Sequence, residues 1–175
     1  MRLASRYMPS YDETLTLTSR LIVGSILSIL GIGYIYAIWI DPMSIVFIWA
    51  VVFLASISYL FSDNNLKILV EQREDEDIGT FARSLDYRSI DTWIIRAVYE
   101  EINSELGFKD NTLPIRASDN LAKDLKLDDE DLFFIYNRVA TRAGISDEDI
   151  EKNPYYNRVE TVEDMILFLN TQPRV

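Results

Sequence analysis

A chain of 175 residues with 17 basic and 28 acidic side chains, a net charge of −11 and a mean hydropathy of +0.02 has room for one ordinary domain and a smaller unit. It contains no cysteine and no histidine, which excludes disulfide frameworks, Cys/His zinc sites, thiolate nucleophiles and imidazole bases. A pI near 4.4 argues against a nucleic-acid partner, because phosphate neutralisation needs clustered Lys and Arg.

The near-zero hydropathy averages two unlike parts. Residues 1–61 carry three basic and three acidic side chains, whereas residues 62–175 carry 14 basic and 25 acidic ones, so the whole net charge lies in the second part. After an N-terminal segment, residues 1–20, the runs 21–40 (LIVGSILSILGIGYIYAIWI) and 44–61 (SIVFIWAVVFLASISYLF) contain no charged side chain. At 1.5 Å of rise per residue they reach about 30 and 27 Å, close to the thickness of a hydrocarbon core. The pattern predicts a two-helix transmembrane hairpin over 21–61, turning at Asp41-Pro42-Met43. The first run is too long for a signal-peptide core and lacks a small-x-small cleavage site, so both spans are expected to be retained. Arg2, Arg6, Arg20, Lys67 and Arg73 flank the pair and the turn has no basic residue. This predicts a multi-pass protein of a bacterial inner membrane with both termini in the cytoplasm and the lipid bilayer as one partner. Gly24, Ser28 and Gly31 share a helix face, and Gly33 pairs with Ala37, so the small residues are expected to pack the hairpin on itself. With no ionisable residue inside either run, an ion path or transporter site has no support.

Residues 62–89 bring five acids and one arginine between Glu71 and Asp77. They are expected to form an acidic juxtamembrane linker, repelled by anionic lipid and holding the next domain clear of it. From Ile90 the pattern is helical. Asp91 caps a predicted helix with apolar positions Ile94, Ile95, Val98, Ile102 and Leu106, closed by Gly107. A long connection, 108–127, holds Pro114 and the amphipathic piece Asp119 to Leu127. A second helix is predicted after Asp128, with the stripe Leu132, Ile135, Tyr136, Val139 and Ala143 ending at Gly144. A short helix follows around Ile150, and Thr161 with Asp164 is a near capping box before a last helix carrying Met165, Ile166 and Leu169. The predicted core is Ile94, Val98, Leu132, Ile135, Val139, Ile166 and Leu169.

The order of these pieces resembles the acyl carrier protein fold over residues 90–175. The similarity rests on Asp119-Asn-Leu-Ala-Lys-Asp-Leu-Lys-Leu-Asp-Asp-Glu-Asp-Leu132, the following Gly144-Ile145, then Asp147-Glu-Asp-Ile150, and Val159-Glu-Thr-Val-Glu-Asp-Met165. The resemblance implies a four-helix bundle, and the fold class expected for the chain is all-α, the transmembrane hairpin followed by this bundle. Carrier proteins attach phosphopantetheine to a serine at the start of the second helix. Asp129 occupies that place, between Asp128 and Glu130, and offers no hydroxyl. The sequence is closer to carrier-like bacterial proteins in which acids replace the serine motif, so no cofactor is expected. Ser118 and Ser146 are the nearest serines and lie outside the start of that helix.

Asp128, Asp129, Glu130 and Asp131 stand where negative charge meets the positive end of a helix dipole, a purely structural reason for them. The resemblance adds a second reason, since carrier proteins present an acidic second helix to basic enzymes, and the four acids become the candidate partner-binding residues. Arg138 and Arg142 on later turns are expected to reverse the sign of that surface. Carboxylate pairs such as Asp128 with Asp131, or Glu148 with Glu151, have no histidine or aromatic pocket to shift a pKa, so neither catalysis nor a metal site is expected. The expected function is a non-enzymatic, membrane-anchored binding module that docks an unidentified basic protein. The alternatives are an immunity protein or accessory subunit that recognises its partner through the hairpin, and, least supported, an active acyl carrier.

Overall fold

The computed structural model describes residues 3–11, 17–40, 43–62, 64–108 and 113–175. Among them the chain is all-α, with seven helices, short 3-10 turns at Ser5–Tyr7 and Ile150–Lys152, and two isolated bridges, Asn120 with Thr161 and Ile145 with Arg174. Two compact units divide it: residues 12–65 form one, and residues 1–11 together with 66–175 form the other.

The first unit is the hairpin pair α1 (Leu17–Ile40) and α2 (Met43–Ser62), which contact each other. Their apolar side chains are exposed, among them Ile29, Ile32, Phe47 and Trp39, the last at 88%. The hydroxyls of Ser25, Ser28 and Ser56 donate to the carbonyls one turn back, Leu21, Gly24 and Val52, at 2.8 Å, so these polar groups are satisfied within their own helix. A Cβ built on Gly24, Gly31 or Gly33 meets nothing within 4 Å, so these small residues are not where the two helices pack. The Asp41-Pro42 turn and the side chain of Ala37 lie outside the described residues.

The membrane assignment is corrected. Among the described residues, no helix is long and apolar enough to cross a membrane. The topology argument loses a charge as well: Arg73 is not a free flanking cation but one half of a buried ion pair, its side chain 9% exposed. The multi-pass inner-membrane localisation with both termini cytoplasmic is therefore withdrawn. Arg2 and the side chains of Arg20 and Lys67 lie outside the described residues.

The second unit is built around α5 (Thr92–Glu105), which contacts α4 (Ile78–Ser84), α6 (Asp129–Ala143), α7 (Val162–Thr171) and the Ser5–Tyr7 turn. That central position explains why Ile94, Ile95, Ala97, Val98, Tyr99, Ile102 and Asn103 are all buried, a wider face than one apolar stripe. The termini follow the local chemistry. Asp91 accepts from the Trp93 amide, Asp128 and Thr161 each form a capping box, and Gly144 closes α6 at φ 64°, a conformation that favours glycine. Of the predicted core residues, six are buried and Leu132 is half-buried.

Two segments read as peripheral belong to this unit. Of residues 62–89, expected as a spacer, those from 66 onward bring most of α3 (Asn64–Gln72) and all of α4 into this unit, and they bury Leu66, Phe81 and Leu85. Just past α3, Arg73 makes a two-pronged ion pair with Asp119 at 2.7 and 2.9 Å and donates to the Pro114 carbonyl at 3.0 Å. The N-terminal segment buries Met8 in the same core, and the Trp93 indole donates to the Leu3 carbonyl at 2.8 Å. Acidic composition disguised the first of these segments, because its few apolar anchors are spread among the charges.

Three stability experiments follow. Ile135→Ala should lower the unfolding free energy of the second unit by about 2–5 kcal/mol, read by thermal or urea denaturation of the full chain. A fragment comprising residues 85–175 alone, which lacks Leu66, Arg73 and Phe81, should melt well below the full chain. Arg73→Met, which leaves the Asp119 carboxylate buried and unpaired, should cost about 3–5 kcal/mol, and the double change Arg73→Met with Asp119→Leu should recover most of that loss.

Candidate functional site

The start of α6 gathers the acids singled out in the sequence and assigns them two different jobs. The Asp128 carboxylate accepts from the amides of Glu130 and Asp131, both at 2.9 Å, and the Asp131 carboxylate accepts from the Asp128 amide at 3.0 Å. These two acids close the capping box, and they satisfy backbone donors that the helix itself leaves open. Asp129 and Glu130 are exposed in the same turn, and among the described residues their carboxylates have no hydrogen bond or ion pair. They are the members of the predicted set left free to meet a partner.

Beside them stand two aromatic residues that sequence reasoning passed over. Phe133 and Phe134 are 62% and 40% exposed, with ring centroids 6.1 Å apart in an edge-on arrangement. Each follows one of the free acids by four residues, Asp129 before Phe133 and Glu130 before Phe134, so acid and ring share a helix face. The signal was present in Asp-Leu-Phe-Phe-Ile-Tyr: both phenylalanines fall outside the inward stripe of Ile135 and Val139, buried, and Leu132 and Tyr136, half-buried. Isolated exposed apolar residues are ordinary, but paired aromatics next to free charge form the kind of surface that partners use.

The later turns of α6 differ from expectation. Arg138 is not a surface cation reversing the charge, since its guanidinium donates to Glu105 of α5 at 2.6 Å. Arg142 has only 4% of its side chain exposed and pairs with both Glu100 and Glu101 of α5, while its Nε donates to the Pro9 carbonyl at 3.1 Å. Glu100 also accepts from Arg96 at 2.9 Å. Burial pushes the Glu101 carboxyl above its usual range, with the Arg142 hydrogen bond acting against it. The two arginines are thus neutralised at the α5–α6 contact, and the exposed face of α6 keeps the sign set by Asp129 and Glu130.

The remaining candidates are placed as follows. Ser118 lies exposed in the connection before α6, and the hydroxyl of Ser146 accepts from the Glu148 amide at 3.2 Å beyond its far end. Asp128 and Asp131 are committed to the cap. Glu148 and Glu151 are exposed, on either side of Asp149, whose φ is 58°. Among the described residues no group of three or more Asp or Glu is arranged to hold a metal ion.

Searches of family models, of curated proteins and of solved structures find no match to this chain.

The division between capping and free acids is open to measurement. Asp128→Ala should cost about 1 kcal/mol of stability through loss of the cap. Asp129→Asn with Glu130→Gln removes only the dipole interaction and should cost about 0.3–1 kcal/mol, a loss that fades at high salt whereas that of the cap does not. Urea denaturation of both variants checks the contrast.

Proposed function

We propose that the second unit is a non-enzymatic binding module, resembling an acyl carrier protein that has no prosthetic group, and that it docks a basic protein partner through the start of α6. The observation that carries this reading is the pair of free, exposed carboxylates of Asp129 and Glu130 beside the exposed rings of Phe133 and Phe134, on a helix whose arginines are already neutralised by α5. Fixed carboxylates steer a cationic partner and set its orientation, and the rings supply the desolvated contact that resists dissociation. Asp128 and Asp131 hold the geometry of that turn. Phosphopantetheinyl transfer needs a hydroxyl at the position of Asp129, and a carboxylate cannot give the stable phosphodiester, so acyl carriage is not part of this proposal.

A second reading has support from the first unit. The exposed apolar side chains of α1 and α2 form an extensive surface, and surfaces of this kind mark recognition sites. An immunity protein or accessory subunit would use it to hold its partner.

The two readings separate in one experiment. The full chain is purified from its host by a mild tag-based method, its co-purifying protein is identified, and the pair is reconstituted. On the first reading, Asp129→Lys with Glu130→Lys abolishes binding, raised salt weakens the wild-type complex, and the intact mass is that of the unmodified chain. Binding that is indifferent to this double change and to salt overturns the first reading. A phosphopantetheine mass on any residue overturns it too.

A further inference from the structure

Between α4, the 115–118 connection and the first turn of α7 lies an open cavity of about 400 Å³. Its apolar lining is Phe81, Ile115 and Ala117, with only 2%, 2% and 8% of their surfaces exposed, so the floor is rigid core rather than mobile side chain. The volume falls within the ~300–1,000 Å³ typical of small-molecule sites. No contact of the α6 surface described above enters it.

The polar lining is an inventory of acceptors. Arg116 is the only cation among the lining residues, and its guanidinium is engaged by Glu76 through both Nε and Nη2. Glu76 sits below the usual carboxylate range because of that hydrogen bond, so the pair is charged and mutually neutral. Glu163 adds a further negative charge, and its carboxylate has no hydrogen bond or ion pair among the described residues. The Ser84 hydroxyl donates to the Phe81 carbonyl at 2.7 Å, which leaves its oxygen able to accept. The Ser118 hydroxyl has no partner among the described residues. The lining is therefore one charge negative and offers more acceptors than donors.

From these groups we infer that the cavity binds a small organic cation, a primary amine carrying a single ring or a short apolar chain. The ammonium donates to Glu163 and to the serine oxygens, and the apolar part lies against the few exposed atoms of Ala117, Ile115 and Phe81 at the floor. An anion is disfavoured by the net negative charge of the lining, where Glu76 and Glu163 face a single Arg116. The lining comes partly from α4, which lies outside the segment that resembles a carrier protein, so the site belongs to this chain's own elaboration.

Isothermal titration calorimetry on the purified full chain tests the inference, with tyramine and hexylamine as ring and chain probes. N-acetyltyramine serves as the neutral control, and 3-(4-hydroxyphenyl)propionate as the anionic one. The expected result is one-to-one binding of at least one amine, with no detectable binding of either control. Glu163→Gln, at an exposed position, should weaken the amine roughly tenfold. Ser118→Tyr, which fills the mouth, should abolish binding while the thermal transition is retained. Absence of binding by both amines at millimolar concentration overturns the inference. Equal binding of the neutral control does so as well, and so does an affinity unchanged in Glu163→Gln.

Discussion

The ion pair between Arg73 and Asp119 is the constraint on which the second unit depends. Both side chains are nearly sealed, at 9% and 4% exposure, and the pair joins residues 46 apart in sequence. Asp119 also accepts from the Arg116 amide at 2.8 Å, and Arg73 reaches the Pro114 carbonyl, so a single contact fixes both ends of the 114–119 turn. A buried pair of this kind contributes little net stability against an apolar substitute, but it admits one register only. That register brings the Leu121 amide to the Glu160 carbonyl and the Val162 amide to the Asp119 carbonyl, and so delivers α7 to the core. On the other side of the turn, buried Asn103 takes the Leu113 amide and donates to its carbonyl, where the Tyr99 hydroxyl also donates. The long connection has few hydrogen bonds of regular secondary structure, and these side chains of α5 and α3's end replace them.

A second polar seam, between α5 and α6, governs what the surface presents. Glu100, Glu101 and Glu105 face Arg138 and Arg142 across the contact, in a protein with an excess of acids over bases. Every arginine drawn into the seam is a cation removed from the exposed face of α6. The electrostatic character of the outer surface is therefore decided from inside, by how the arginines are oriented. The Pro9 carbonyl closes the same cluster, which makes the N-terminal segment a part of the seam rather than an appendage.

How much of this was legible in the sequence depended on whether the signal was local. Asp91, Asp128, Thr161 and Gly144 mark helix ends because capping involves residues within one turn of each other, and all four positions were readable. The stripes of α5 and α6 were equally readable, and so was the all-helical class. Residues 62–89 were misread because Arg73, Glu76 and Asp77 look like solvated charge until Asp119, Arg116 and the Thr80 amide are seen beside them. Arg138 and Arg142 were misread for the same reason, since their partners lie 33 to 42 residues away. Of the candidate acids, the sequence located the turn but not the split within it. Capping geometry, invisible in composition, is what separates Asp128 and Asp131 from Asp129 and Glu130.

The net charge of −11 is consequently a poor guide to where this protein is electrostatically active. Acids here fall into three groups by what they touch. Glu100, Glu101, Glu105 and Asp119 neutralise buried or half-buried arginines, and their charge does not reach solvent as an unpaired field. Asp77, Asp128 and Asp131 accept from backbone amides at helix starts, where the helix dipole partly offsets them. Asp129, Glu130 and Glu163 have carboxylates with no hydrogen bond or ion pair among the described residues, and they project charge that a second molecule can use. Two of these three adjoin exposed rings on α6 and the third borders a cavity floored by core side chains. Free charge beside apolar surface makes an amphipathic site, and it is this coincidence, rather than the total of acidic residues, that separates recognition surfaces from charged scaffold.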